Sequence, residues 1–256
     1  MCVTCGCASD GIRFFALTPR PVESGRRVLA VEEALLAEND RQARANRQAL
    51  DARRITAFNL LSSPGSGKTT LLVNTVTALS ERCPVAVIEG DQQTDRDAQR
   101  IRATGVPAVQ INTGKGCHLD AQMVSRAMAD LPLADDGVVF IENVGNLVCP
   151  AEFDLGEHAK VVILSVTEGD DKPLKYENMF HAADLVVINK VDLLPYVAFD
   201  VAQCRQYIAR INPRTEIMLV SATRGDGLAE WLRWIDHQRS VNGAPRRAVA
   251  APAPRT

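Results

Sequence analysis

Lys68 and Thr69 stand behind two glycines in Ser62-Ser63-Pro64-Gly65-Ser66-Gly67-Lys68-Thr69-Thr70, types and spacing suited to holding a phosphate chain. Gly65 and Gly67 let the backbone bend until the N–H groups from Gly65 to Thr70 ring an anion at the positive end of a helix. Lys68 then reaches the β- and γ-phosphates, and the Thr69 hydroxyl ligates Mg²⁺. The place usually held by the motif's first Gly is taken here by Ser62. In an ordinary turn, Ser-Gly-Lys-Thr would mean little. The apolar run Ile55, Phe58, Leu60 and Leu61 leads in, and Leu71, Leu72, Val76 and Leu79 lead out at helical spacing. Strand, glycine loop and helix together read as a nucleoside triphosphate site.

Three further stretches fall after apolar runs and suit the same ligand. Glu89-Gly90-Asp91 opens an acidic loop, in which Asp91 is the preferred carboxylate for Mg²⁺ and Asp97 serves either there or as a helix-start residue. Glu142-Asn143-Val144-Gly145 stands where a D-x-x-G is common, so Glu142 is expected in the Mg²⁺ shell and the Gly145 amide near the γ-phosphate. Asn189-Lys190-Val191-Asp192 has the form of a guanine reader: the Asp192 carboxylate accepts from guanine N1–H and its exocyclic amine, and the Lys190 stem covers the base. Ser221-Ala222-Thr223 matches the loop whose backbone meets guanine O6. GTP is therefore expected rather than ATP. Asp95 and Asp97 are both candidates for the general base, and the spacing does not choose between them.

The thiols suggest a second chemistry. Cys2, Cys5 and Cys7 form C-x-x-C-G-C, three thiolates able to converge on one soft or borderline ion, with the α-amino group beside them. The alternative is a frayed terminus. Cys117, His118 and Cys149 all lie near strand ends, a thiolate–imidazole–thiolate set that suits Ni²⁺ or Zn²⁺. Adjacent Cys and His point apart in extended chain, so a turn or a second subunit must bring them together. A buried Cys149 and a capping His118 are the alternative. Cys83 and Cys204 read as ordinary thiols, and His158, His181 and His237 show no partner spacing.

These residues need a scaffold, and the chain is long enough to supply it. It has 256 residues, 46% of them hydrophobic, which fits one large domain with appendages. Short β-branched runs at Val85–Ile88, Ala108–Ile111, Val138–Ile141, Val161–Ser165, Leu185–Ile188 and Ile217–Val220 alternate with helical patterns. That is the doubly wound α/β pattern with a mostly parallel sheet, whose sites lie at the carboxyl ends of the strands. The expected organisation is a cysteine motif and linker over 1–27, a connector helix within 28–54, a GTPase domain over 55–239, and a disordered Ala/Pro/Arg tail over 240–256. The connector helix is expected over Val28–Ala52. A net charge of −2 gives no case for nucleic acid, and no apolar run approaches the ~20 residues of a membrane span. The start of the chain lacks the layout of a signal peptide, so a cytoplasmic location is expected.

In combination, these motifs resemble the hydrogenase nickel-incorporation GTPases of the HypB family. The resemblance runs from Cys2-Val3-Thr4-Cys5-Gly6-Cys7 through the phosphate loop, Gly116-Cys117-His118 and Glu142 to Pro150, as far as Asn189-Lys190-Val191-Asp192. It implies a slow, Mg²⁺-dependent GTPase of the signal-recognition/MinD class that forms a homodimer with GTP. It further implies nickel delivery to the [NiFe] hydrogenase large-subunit precursor, with a HypA-type zinc/nickel accessory protein as partner. The N-terminal trio matches a nickel site of some members, and Cys117, His118 and Cys149 match the internal site for nickel or zinc. The histidine-rich run of many members is missing, so nickel storage is not expected. Urease-accessory GTPases are the nearest rival, but their metal motif is Cys-Pro-His. A passive metal-binding protein with a vestigial nucleotide pocket is the rival from another class, opposed by the intact Lys68, Thr69 and Asp192.

Overall fold

Runs rich in Val, Ile and Leu line up as a seven-stranded sheet in the computed structural model, which describes residues 22–91, 96–114 and 116–243. In chain order the strands are β1 (Thr56–Ser62), β2 (Val85–Asp91), β3 (Ala108–Asn112), β4 (Val138–Glu142), β5 (Ala159–Ser165), β6 (Leu185–Asn189) and β7 (Glu216–Val220). All neighbours are parallel, in the order β3-β2-β4-β1-β5-β6-β7. The strands β1, β4 and β6 are buried at every position, which is why their sequences run apolar instead of alternating. The doubly wound α/β fold expected from the sequence is the fold found.

Helices cover both faces: α1 (Val22–Ala52), α2 (Lys68–Ser80), α3 (Arg96–Arg102), α4 (Ala121–Asp130), α5 (Lys172–Lys175), α6 (Glu177–His181), α7 (Val201–Ile211) and α8 (Leu228–Val241). On one face Phe58 stacks on Phe140 at 5.5 Å and Trp231 on Trp234 at 5.5 Å. The Trp231 indole, fully buried, donates to Thr75 Oγ1 at 2.8 Å. Leu50, Ile55, Ile88, Leu119 and Ile141 form part of the core under α1 and α4 on the other face.

The helix expected over Val28–Ala52 begins earlier, at Val22, because Gly25 costs a helix only about 1 kcal/mol and does not stop it. Its C-terminal half is docked. Asn39 accepts from the Ala121 N–H (2.9 Å) and donates to the Asp154 carbonyl (2.7 Å). Asn46 donates to the carbonyls of Ala121 (2.8 Å) and Leu155 (2.9 Å). His158 also has partners that spacing did not reveal: Nδ1 accepts from the Ala57 N–H at 2.9 Å, so Nε2 carries the proton toward Asp51 at 2.8 Å. The cysteine motif at Cys2, Cys5 and Cys7, the candidate base Asp95 and the tail beyond residue 243 lie outside the described residues.

Candidate nucleotide and metal site

The strand registers bring the candidate residues to one edge of the sheet. Leu60 pairs with Glu142, Glu89 with Glu142, Ser165 with Asn189, and Asn189 with Val220. At the carboxyl end of β1 the chain turns through Ser63–Gly67 into α2. Gly67 has φ +91° and caps the helix, and a Cβ there would lie 2.5 Å from the Asn189 amide. Both the dihedral and the close approach demand glycine. Lys68 and Thr69, in the first helical turn, are buried. A cavity of about 580 Å³ opens over them, lined also by Glu89, Asp91, Asp97, Arg100, Glu142, Gly145 and Lys190.

Oxygen donors gather at its floor. The Thr69 hydroxyl donates to Glu142 Oε1 at 2.6 Å, and Lys68 Nζ lies 3.4 Å from the same oxygen while donating to the Asn143 carbonyl. Glu142 Oε2 and Glu89 Oε2 are buried with no hydrogen-bond partner. Orphaned carboxylate oxygens beside a threonine hydroxyl form the hard-oxygen donor set that Mg²⁺ takes. Asp91 sits half-buried at the end of β2 on the rim of this cluster. Burial, reinforced by repulsion from Glu142 and Asp91, pushes the Glu89 carboxyl up to about 8.

Sequence reasoning passed over Glu89 and Arg100. Glu89 gained meaning only from its register opposite Glu142, which no local pattern displays; the available signal was a carboxylate closing a buried apolar run. Arg100 sits on a short helix carrying several arginines, yet its guanidinium donates to Thr70 Oγ1 at 3.1 Å and pairs with Asp97 at 3.3 Å.

At the other end of the cavity, Asn189 acts as a brace. Its Nδ2 donates to the Ser66 carbonyl (2.9 Å) and its Oδ1 accepts from the Ala222 N–H (3.0 Å), bolting the phosphate loop to the Ser221-Ala222 loop. Lys190, at φ +61°, donates to the Gly65 carbonyl at 2.6 Å. Asp192 follows in the 3₁₀ turn Val191–Tyr196 and accepts from Ser221 Oγ at 2.5 Å. These candidate residues therefore meet around one end of the phosphate loop.

Cys117, His118 and Cys149 also meet, and one chain suffices. A bend after β3 places the adjacent Cys117 and His118 on the same side, and Cys149 opens the 3₁₀ turn Cys149–Ala151. Their ligand atoms all lie within 4.8 Å of one another, with Cys117 Sγ 3.1 Å from Cys149 Sγ and 3.7 Å from His118 Nδ1. Burial holds the His118 imidazole below its ordinary value, favouring the neutral ring that a metal requires. Two thiols and an imidazole suit Zn²⁺ or Ni²⁺. The His118 ring lies against Phe153, with centroids 4.0 Å apart and planes tilted by 31°.

Fold and site define a phosphate-loop nucleotide-binding protein with a cysteine–histidine cluster built onto the loops beside its nucleotide pocket. Residues 56–219 match the nucleotide-binding domain of the CobW/HypB/UreG family. The chain is 62% identical over 221 residues to the hydrogenase maturation factor HypB of Azotobacter vinelandii, a match covering 86% of this chain and 73% of that protein. It is 60% identical over 222 residues to the HypB of Escherichia coli (87% and 77% covered). A crystal structure of HypB from Helicobacter pylori in complex with nickel superposes with a TM-score of 0.75 at 38% identity, covering 83% of this chain and 100% of that one. The chain belongs to the HypB family of phosphate-loop GTPases. Among its described residues no helix is long and apolar enough to cross a membrane.

Proposed function

We propose that this chain hydrolyses GTP and uses the nucleotide state to control a nickel ion destined for the large-subunit precursor of a [NiFe] hydrogenase. The observation that carries this reading is the loop from Glu142 to Cys149. Its first residue accepts from Thr69 in the phosphate loop, and its last lies 3.1 Å from Cys117 Sγ. Family membership supports hydrogenase maturation as the setting, and the nickel complex of the Helicobacter pylori relative supports nickel as the cargo.

In this reading the phosphates lie along Gly65–Thr70, with Lys68 neutralising the β- and γ-phosphates. Thr69, Glu142 and Asp91 would hold Mg²⁺, which offsets charge on the transferring phosphoryl group when bound. Asp192, Lys190 and the Ser221-Ala222 loop select guanine, and the Gly145 amide faces the γ-phosphate. Thr69 and Lys68 exchange partners between the phosphates and the Glu142-Asn143 segment, and that exchange displaces the Cys149 end of the loop. GTP closes a homodimer, hydrolysis weakens nickel binding, and a HypA-type zinc/nickel protein is the partner in transfer. Cys2, Cys5 and Cys7 form a second nickel site.

A Ni²⁺ titration of reduced, metal-free protein tests the reading, run with GDP and with a non-hydrolysable GTP analogue beside Cys117→Ala and Cys2→Ala variants. Nucleotide-dependent affinity that disappears with Cys117 is expected. Equal affinity in both nucleotide states refutes it, because metal and nucleotide must share one coupling free energy in both directions.

A further inference from the structure

Cys117 and His118 leave an edge strand, yet their loop leans on the nucleotide pocket. The next residue, Leu119, is fully buried, and its N–H donates to Asn143 Oδ1 at 3.1 Å. Its side chain lies over Gly90, where a Cβ would come within 2.8 Å of the leucine Cδ2. The Cys117 carbonyl accepts from Asn146 Nδ2 at 3.2 Å. Every one of these supports belongs to a segment lining or adjoining the nucleotide cavity.

Asn143 is the centre of this set and is itself fully buried. Its carbonyl accepts from Lys68 Nζ, and its N–H donates to the Leu60 carbonyl at 3.0 Å. Its Oδ1 takes two amides, Leu119 (3.1 Å) and Val144 (3.0 Å), while Nδ2 donates to Asn59 Oδ1 at 3.3 Å. Asn59 in turn donates to Glu157 Oε1 at 3.1 Å, anchoring the far side in the core. We propose that Asn143 is a positioning residue that ties the phosphate-loop lysine to the Cys117–His118 loop, carrying nucleotide state to the metal cluster. The assignment rests on the nucleotide–metal coupling proposed above.

A buried N–H that loses its acceptor has no water to turn to, so the Leu119 amide must follow Asn143 Oδ1. When Lys68 redirects its ammonium toward a phosphate, the Asn143–Val144 peptide loses a charge-assisted bond at its carbonyl, and its shift reaches Asn143 Oδ1 through the Val144 N–H that bonds it. Leucine at this position has the volume but neither the donor nor the acceptor. Aspartate keeps the acceptor for Leu119 and Val144.

The test uses the full chain carrying Cys2→Ala, Cys5→Ala and Cys7→Ala, so that Ni²⁺ reports the internal cluster. The readout is the ratio of Ni²⁺ dissociation constants with GDP and with a non-hydrolysable GTP analogue, with coupled sites typically differing by about 5- to 150-fold. Asn143→Leu is expected to shrink that ratio at least about threefold, and Asn143→Asp to retain most of it. An unshrunken ratio in Asn143→Leu while the parent is coupled overturns the assignment alone. Equal affinities in the parent overturn the function proposed above, and the assignment with it. Should Asn143→Leu fail to fold, hydrogen exchange in the parent decides: protection of the Leu119 amide must differ between the two nucleotide states, and identical protection overturns the assignment.

Discussion

Replacing Asp192 by asparagine should exchange one nucleotide for another. Asp192 is half-buried, and its Oδ1 is already engaged by the Ser221 hydroxyl at 2.5 Å, which orients the carboxylate. Guanine offers that carboxylate two donors, N1–H and the exocyclic amine. Hydrogen bonds to a charged group contribute about 1.5–3 kcal/mol each, so the pair amounts to about 3–6 kcal/mol. At about 1.4 kcal/mol per tenfold, GTP affinity should fall by roughly two to four orders of magnitude. The asparagine side chain keeps the shape and the oxygen that Ser221 engages, so the fold is spared. Its new N–H₂ can donate to the carbonyl that xanthine carries in place of the guanine amine. Calorimetric titration of both proteins with GTP, xanthosine triphosphate and ATP in Mg²⁺ should show the preference inverted. If the Asp192→Asn variant binds GTP within about threefold of the parent, less than one such bond was lost and Asp192 does not read the base.

Two further expectations concern the acidic floor and the docked helix. Glu89 is held at about 8, above its ordinary value of 4.5, so the folded state binds more protons than the unfolded chain between the two values. Stability of the nucleotide-free protein should therefore fall as pH rises through that window, and Glu89→Gln should flatten the slope; an equal slope in both would contradict it. Asn46→Ala removes the donors to the buried carbonyls of Ala121 and Leu155 and should cost about 1–3 kcal/mol, read as a lower urea midpoint at unchanged m. A loss under about 0.5 kcal/mol would mean that α1 contributes little to holding these segments.

Much of this fold is written locally. Strands buried on both faces announce themselves as apolar runs, and the phosphate loop and Asn189-Lys190-Val191-Asp192 encode their geometry within a few residues. The order in which the strands assemble is not local. That β4 lies between β2 and β1, so that Glu89 and Glu142 face each other, depends on crossovers that hydrophobic periodicity does not specify. The metal trio was legible by residue type, and so was the need for a turn or a second subunit to gather it; that a bend within one chain puts adjacent Cys117 and His118 on one side was not. Arg100 and Asn143 were illegible for the same reason as Glu89. Their meaning lies in partners 30, 24 and 75 residues away: Thr70 for Arg100, and Leu119 and Lys68 for Asn143. Asn189 shows the converse: a residue legible as part of a base-reading motif turns out to brace two loops.

The connections between the pockets also limit how strongly they can influence each other. Among the contacts that hold the Cys117–His118 loop to the segment after β4, beside the 3.1 Å approach of Cys117 Sγ to Cys149 Sγ, are two hydrogen bonds, Asn143 Oδ1 with the Leu119 N–H and Asn146 Nδ2 with the Cys117 carbonyl. At a net 0.5–1.5 kcal/mol for a typical bond, these two would add about 1–3 kcal/mol, or roughly 5- to 150-fold in metal affinity, to what the Glu142–Cys149 loop carries in the function proposed above. That is enough to loosen a thiolate-bound ion and too little to expel one held far more tightly. On the proposed function, an acceptor that competes for the ion would then complete release, with the nucleotide supplying direction and timing. On the same reading the guanine end stands apart from that work. Asp192 is tied to Ser221, and Asn189 bolts Ser66 to Ala222, so base recognition is braced against the opposite flank of the phosphate loop from the cysteine cluster. On the proposed function, nucleotide choice and metal control would meet at the phosphate loop, where Lys68 and Thr69 already touch the Glu142-Asn143 segment.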